Sequence, residues 1–238
     1  MKGFIHSFES LAAVDGKGLR VAVFLSGCPL RCVYCHNPDT WHRGEKEIFA
    51  EDLFRKIVRY KPYFGSDGGV TFSGGEPLLQ ASFIQSVIPY LRKEGIGYAL
   101  DTSGAVELTD TVRAVFEGAD EVLLDLKFWD EASYQKYTGA SIEGPLKTLS
   151  YLNQIGKSCL VRTVVIPGIN DSSKVLEKYL VHLKGMKCIR KYELLPFHTM
   201  GFFKYEKLGI PNPLLQTSPL SPQVKDELQK FVDLNMKE

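Results

Sequence analysis

The sequence predicts an α/β chain whose parallel sheet curves into a partial (β/α)6 barrel, and three observations predict it. Short apolar runs alternate with amphipathic helical stretches along most of the chain, giving six strand–helix units. Units of this kind join parallel strands by right-handed crossovers. A closed barrel needs eight units and about 250 residues, whereas six units and a loop-rich N-terminal stretch share 238 residues here. Periodicity alone leaves a doubly wound open sheet as the alternative. In both architectures functional groups gather at the carboxyl ends of the strands.

Residues 19–25 (LRVAVFL) read as the first strand and residues 50–60 (AEDLFRKIVRY) as the first helix. A short strand over 70–72 leads to a helix over 81–94, which Gly95 ends. The third strand covers 98–101, and Thr109 caps a helix that runs to 116. Residues 121–126 (EVLLDL) form the fourth strand, followed by a helix over 145–154 with Pro145 at its start. The fifth strand is 158–166 (SCLVRTVVI), with a helix over 172–182 behind it. Residues 192–195 make the sixth strand. Residues 221–234 are the last helix, with Pro222 in its first turn, and 211–222 (PNPLLQTSPLSP) read as an extended loop. One domain over 1–238 is expected, with its core at about 15–200 and its terminal helix at about 221–234.

Composition excludes several classes of function. Lys and Arg number 29 against 28 Asp and Glu, which is not the basic excess of a nucleic-acid binder. No apolar run approaches the ~18 residues of a membrane span. Residues 1–16 lack the hydrophobic core of a secretory leader, so the cytoplasm is the expected compartment. The five cysteines are then expected to be reduced thiols rather than disulfides.

Three of them, Cys28, Cys32 and Cys35, stand in SGCPLRCVYCHNPDT. A four-iron cluster normally takes four thiolates, so three would leave one iron open to a small molecule. The competing reading is a structural Cys3His zinc site completed by His36. It is disfavoured because a chain of this length builds its own core without a metal staple. Cys159, in a strand run, reads as a small buried hydrophobe; Cys188 has no assigned role.

The remaining unusual residues fall at the same predicted rim. The run 73–77 (SGGEP) follows the second strand and 101–104 (DTSG) the third. Asp125 and Lys127 close the fourth strand, Arg162 lies in the fifth, and His198 follows the sixth. Gly74 and Gly75 would let backbone groups approach a ligand closely, and Glu76 would accept hydrogen bonds from a ligand ammonium. Asp101 and Asp125 aim carboxylates into one mouth, where they repel unless a cation lies between them. Lys127, a ligand amine and an alkali metal ion are the candidates. An Asp125–Lys127 ion pair without any ligand is the simpler alternative.

Cys-x-x-x-Cys-x-x-Cys with Tyr34 before the last cysteine, followed by GGEP, resembles the radical S-adenosylmethionine superfamily. Within it, residues 5–41 together with VTFSGGEPLLQ, LDTSG, LLDLK, VRTVVIPGIND and ELLPFHTMG resemble the glycyl-radical-enzyme activases, and among those the activases of pyruvate formate-lyase. The resemblance covers nearly the whole chain. It implies a [4Fe–4S] cluster on Cys28, Cys32 and Cys35, and reductive cleavage of S-adenosylmethionine to place a radical on a partner's glycine. It also implies that Tyr34, Cys35, His36, Gly74, Gly75, Glu76, Asp125, Leu126, Lys127, Arg162 and His198 contact S-adenosylmethionine. Asp101, Thr102 and Asp125, with backbone near Leu123, match a monovalent-cation site. The implied partners are pyruvate formate-lyase and flavodoxin or a similar reductant, with the chain as a monomer. Another glycyl-radical enzyme, or a small-molecule substrate, is the alternative. One departure is Lys17 in VDGKG, where the family commonly has proline.

Overall fold

The computed structural model describes residues 1–236. Strands β1 (Lys2–Ala12), β2 (Arg20–Leu25), β3 (Glu47–Phe49), β4 (Gly69–Gly74), β5 (Gly97–Thr102), β6 (Glu121–Asp125), β7 (Cys159–Val165) and β8 (Ile189–Pro196) form one sheet in the order β3-β1-β2-β4-β5-β6-β7-β8. From β2 through β8 the pairing is parallel throughout. These six strands are the six expected from the sequence and make the partial barrel.

Helices α1 (Ala50–Ile57), α2 (Ala81–Lys93), α3 (Asp110–Gly118), α5 (Glu143–Gln154), α6 (Ser173–Leu183) and α8 (Pro222–Asn235) cover the outer face, while α4 (Glu131–Thr138) and α7 (Phe202–Leu208) lie at the rim loops. The polar caps act as their residue types dictate. Thr109, Ser172 and Ser221 accept hydrogen bonds from the backbone N–H three residues on. Each amphipathic helix turns a stripe such as Ile84, Val87 and Leu91 toward the sheet.

Because strand side chains alternate faces, the barrel strands sort their residues into two layers. Val70, Phe72, Leu100, Val122, Leu124 and Val161 face the helices and belong to the main core. Fully burying each such side chain stabilises the fold by roughly 1.5–3 kcal/mol. The opposite face carries a small apolar patch of Ala99, Leu123 and Leu160, flanked by polar groups. The parallel register aligns Thr71, Ala99 and Glu121 in one row, Asp101, Leu123 and Leu160 in the next, and Asp125, Arg162 and Glu193 above.

Five elements depart from the sequence reading. The stretch expected to be loop-rich is instead the 11-residue β1, paired antiparallel to both β2 and β3. Only Gly3 and Ile5 of β1 are buried, and its His, Ser and Glu residues hide the period-2 signal. The helix expected over 50–60 ends at Ile57 and tightens into a 3₁₀ turn that contains Pro62. Helix α5 starts at Glu143, two residues before its proline. Helices α4 and α7 were not expected at all, and both turn out to hold the cysteine loop.

Candidate active site

The three cysteines follow β2 on a loop secured from both sides. Backbone N–H groups of Arg31 and Val33 donate to the C=O of Thr138 (2.7 Å) and Tyr137 (3.0 Å) in the last turn of α4. That helix is capped by an Asp130–Ser133 capping box and closed by Gly139 at φ +72°. From the other side, the Tyr205 hydroxyl on α7 donates to the C=O of Cys35 at 3.0 Å, and Lys204 Nζ reaches Asn37 and Asp39. Arg31 folds back so that its guanidinium donates to the C=O of Cys28 and of Leu30. These anchors leave the loop little freedom before any metal arrives.

Cys28, Cys32 and Cys35 all line one cavity of about 370 Å³, shared with Tyr34, His36, Gly74, Gly75, Asp101, Thr102, Asp125, Lys127 and His198. Its size suits a small-molecule site. Burial pushes the Cys28 thiol up to about 11 and the Cys32 thiol to about 12, and raises that of Cys35. All three are protonated thiols at neutral pH, so binding a metal must release their protons. Among the described residues no three His, Cys, Asp or Glu side chains converge on a single metal ion, as a tetrahedral zinc site with ligands at about 2.0–2.3 Å would require. His36 is otherwise engaged: its ring stacks on His198 at 3.8 Å, and its Nε2 lies 3.3 Å from the His198 carbonyl. Burial lowers the pKa of both rings, and for His36 the neighbouring His198 adds to it. The Cys3His zinc reading therefore does not fit. Three thiols on one loop, opening onto a cavity with no fourth protein ligand, fit a four-iron cluster with one open iron.

The cavity floor is an ion-pair chain. Arg162 stands between the two carboxylates, with Nε 2.7 Å from Asp125 and its terminal nitrogen paired with Asp101. Lys127 closes on Asp125 at 2.7 Å, and Ser73 donates to Asp101 at 2.8 Å. Burial would raise the Asp125 carboxyl, but Arg162 and Lys127 together outweigh it and hold it at about 2. Burial would likewise lower Lys127, and Asp125 more than reverses that. In this structure the Arg162 guanidinium is the cation that stands between Asp101 and Asp125. Arg162 itself is 8% exposed, does not line the cavity and turns its guanidinium to the carboxylates.

Glu76 and Leu126 are likewise engaged within the protein. Glu76 is 0% exposed. Its carboxylate accepts from the N–H of Leu78 and Ser103 and from the hydroxyls of Thr102 and Ser103. Four donors exhaust a carboxylate, so Glu76 braces the 73–77 loop against the 101–104 loop and has no acceptor left for a ligand ammonium. Leu126 donates its N–H to the Arg162 carbonyl and accepts from Thr163, so β7 consumes both its backbone groups. Gly74 and Gly75 do line the cavity, but their lack of Cβ serves the neighbouring chain. A side chain at Gly74, which sits at φ +117°, would run into the Leu25 backbone, and one at Gly75 into the carbonyl of Gly27.

Sequence reasoning missed Arg31, Trp41, Tyr134 and Tyr205. Trp41 supplies the carbonyl that accepts from the Cys28 N–H and stacks under Arg31. The D-x-x-S spacing at Asp130 and the following Gly139 are the signals that could have located α4. Lys17, by contrast, has a concrete role: its N–H donates to Glu121 at 3.0 Å, a bond proline cannot make.

Residues 22–179 match the Radical SAM superfamily. A pyruvate formate-lyase-activating enzyme of Clostridium pasteurianum is 41% identical over 232 residues, spanning 97% of each chain. The enzyme of that name from Staphylococcus epidermidis is 38% identical over 245 residues, spanning 100% of this chain and 98% of that one. Among solved structures, a domain of a pyruvate-formate lyase-activating enzyme from Bacteroides vulgatus superposes with TM-score 0.58 at 24% identity, covering 71% of this chain and 94% of that one. A radical SAM methyltransferase from Sphaerobacter thermophilus gives 0.62 at 17% identity, over 91% of this chain and 64% of that one. The two structures share the fold. The chain belongs to the radical S-adenosylmethionine superfamily, and within it to the family of pyruvate formate-lyase-activating enzymes.

Proposed function

We propose that this chain activates pyruvate formate-lyase by generating a glycyl radical on it. The observation that carries this reading is the anchored loop presenting three thiols, and no fourth ligand, to a cavity. Kinship over nearly the full length names the protein substrate. The cofactors are a [4Fe–4S] cluster and S-adenosylmethionine, and one-electron cleavage of the latter supplies the carbon radical that removes a hydrogen atom from a glycine.

The chain's own residues bind, orient and exclude water. Cys28, Cys32 and Cys35 would hold the cluster. The backbone of Gly74 and Gly75, free of side chains, would receive the methionine end of S-adenosylmethionine, with the Lys127–Asp125 pair beside it in the lining. Tyr34, His36 and His198 wall the cavity with flat surfaces that suit an adenosine. No general acid or base is required. The reductant is flavodoxin or a similar one-electron donor, the working form a monomer of one domain, and the compartment the cytoplasm. Among the described residues no helix is long and apolar enough to cross a membrane.

The test is anaerobic. The reconstituted and reduced protein is mixed with S-adenosylmethionine and pyruvate formate-lyase, and the electron paramagnetic resonance spectrum is recorded. A glycyl-radical doublet that disappears with Cys32→Ala is expected. Deoxyadenosine release without the doublet would reject pyruvate formate-lyase as the substrate.

A further inference from the structure

Two buried phenols beside the cysteine loop have no partner in the protein. Tyr134, on α4, is 0% exposed and Tyr34 is 5% exposed, yet neither hydroxyl makes a hydrogen bond. A buried hydroxyl without a partner costs about 1–3 kcal/mol, and phenylalanine would fill the same space without that penalty. Neither side chain is placed by accident. Thr138 ties back to the Tyr134 carbonyl at 2.7 Å and receives the Arg31 N–H one turn on, so Tyr134 lies directly behind the cysteine loop. Tyr34 sits within the loop, its ring 6.1 Å from Phe128 and 6.0 Å from Lys127 Nζ. The last turn of α4 grips the loop at Arg31 and Val33, the residues on either side of Cys32, so both phenols lie on elements that flank that cysteine. A phenol ordinarily titrates at about 10, so each hydroxyl is a hydrogen-bond donor at neutral pH. Lys127, the nearby cation, is committed to Asp125 and offers no acceptor.

The missing partner is therefore an acceptor, on the Cys32 side, that the polypeptide does not supply. We propose that the Tyr134 hydroxyl, seconded by that of Tyr34, donates a hydrogen bond to sulfur at the Cys32 corner of the cluster and so raises the potential at which the cluster accepts its electron. This rests on the cluster reading above. Hydrogen bonds to cluster sulfurs favour the more negative, reduced form, which is one of the protein's main means of setting the potential. The bond adds no step to the reaction. It makes Tyr134 a positioning and tuning residue that was not evident from any motif.

The experiment uses the full chain, reconstituted anaerobically as wild type, Tyr134→Phe and Tyr34→Phe. Iron and sulfide are counted, and the midpoint potential is read by redox titration followed by electron paramagnetic resonance. The expected result is full iron loading and, for Tyr134→Phe, about a tenfold smaller reduced-to-oxidised ratio at a fixed potential. For a one-electron couple that is a midpoint lower by about 59 mV. Tyr34→Phe is expected to move the midpoint the same way by less. After exchange into D2O, pulsed measurements on the reduced wild type are expected to detect a coupled deuteron that Tyr134→Phe loses. Loaded variants with unchanged midpoints and couplings would overturn the proposal and leave the cluster reading intact. A wild type that holds no cluster would overturn both. Should Tyr134→Phe fail to load, an unchanged midpoint in Tyr34→Phe, or a wild type lacking a coupled deuteron, would still refute it.

Discussion

At the N-terminal end of the barrel, Arg20 is 3% exposed and four of its five N–H groups have partners. It donates to Thr71 (2.8 Å) and to the carbonyls of Lys17, Asp67 and Val70. Beside it, Glu121 takes the Lys17 N–H and the Arg190 guanidinium. At the carboxyl rim the burial is just as deep, but the accounts do not close. Of the five buried side-chain atoms without partners among the described residues, three (Tyr34 and Tyr134 hydroxyls and His198 Nδ1) border the cysteine loop or its cavity. Buried polar groups are ordinarily satisfied. A closed network explains itself as structure, whereas a cluster of orphans marks a place built for something outside the chain.

The largest effect expected is on cluster content. Cys32→Ala should reduce iron and labile sulfide to background and abolish deoxyadenosine formation, while circular dichroism stays native, because the loop is anchored by α4 and α7 rather than by metal. Next is the contrast between the two buried arginines. Arg162→Met leaves Asp101 without its cation and Asp125 with Lys127 alone, and should cost about 3–5 kcal/mol in denaturant unfolding, together with weaker S-adenosylmethionine binding by calorimetry. Arg20→Met should also destabilise the fold but leave that affinity unchanged. An affinity loss in the Arg20 variant would break the distinction between the two ends.

Acid should reveal the rim pair selectively. The folded Asp125 pKa is depressed from 3.8 to about 2, so its contribution is present in full above the unfolded value and is lost as pH falls through the folded one. That contribution is on the order of 2 kcal/mol. The stability gap between wild type and Asp125→Asn should therefore shrink between pH 4 and pH 2, as urea titrations would show. Glu76→Gln should cost about 1–3 kcal/mol, because an amide NH2 would face donors rather than accept from them. Lys17→Pro has the smallest expected effect. It removes one hydrogen bond to Glu121, worth about 1 kcal/mol, and should be seen only as a small shift in thermal midpoint.

What was legible in the sequence follows the same division. The six barrel strands were readable because each is an apolar run bounded by turn residues, and Thr109 announced its helix. The cysteine triad was readable because three thiols at fixed spacing have few other uses. Side-chain direction was not readable. Glu76 stands in a motif beside the cavity, yet its oxygens turn away to Thr102 and Ser103, and only the packing of two loops decides that. Arg162 looked like one more rim residue until the parallel register set it beside Asp125. The long but polar β1 lacked periodicity, and α4 and α7, at eight and seven residues, were too brief to show a stripe. Tyr134 was invisible for that reason.

The central claim is that the cavity beside the three thiols delivers a radical directly to a glycine of the partner. Pyruvate formate-lyase labelled with deuterium at its glycine α-carbons, mixed anaerobically with the reduced protein and S-adenosylmethionine, tests it. Mass spectrometry of the released 5′-deoxyadenosine should show one deuterium per molecule in the first turnover. Unlabelled deoxyadenosine formed alongside the glycyl radical would contradict direct transfer.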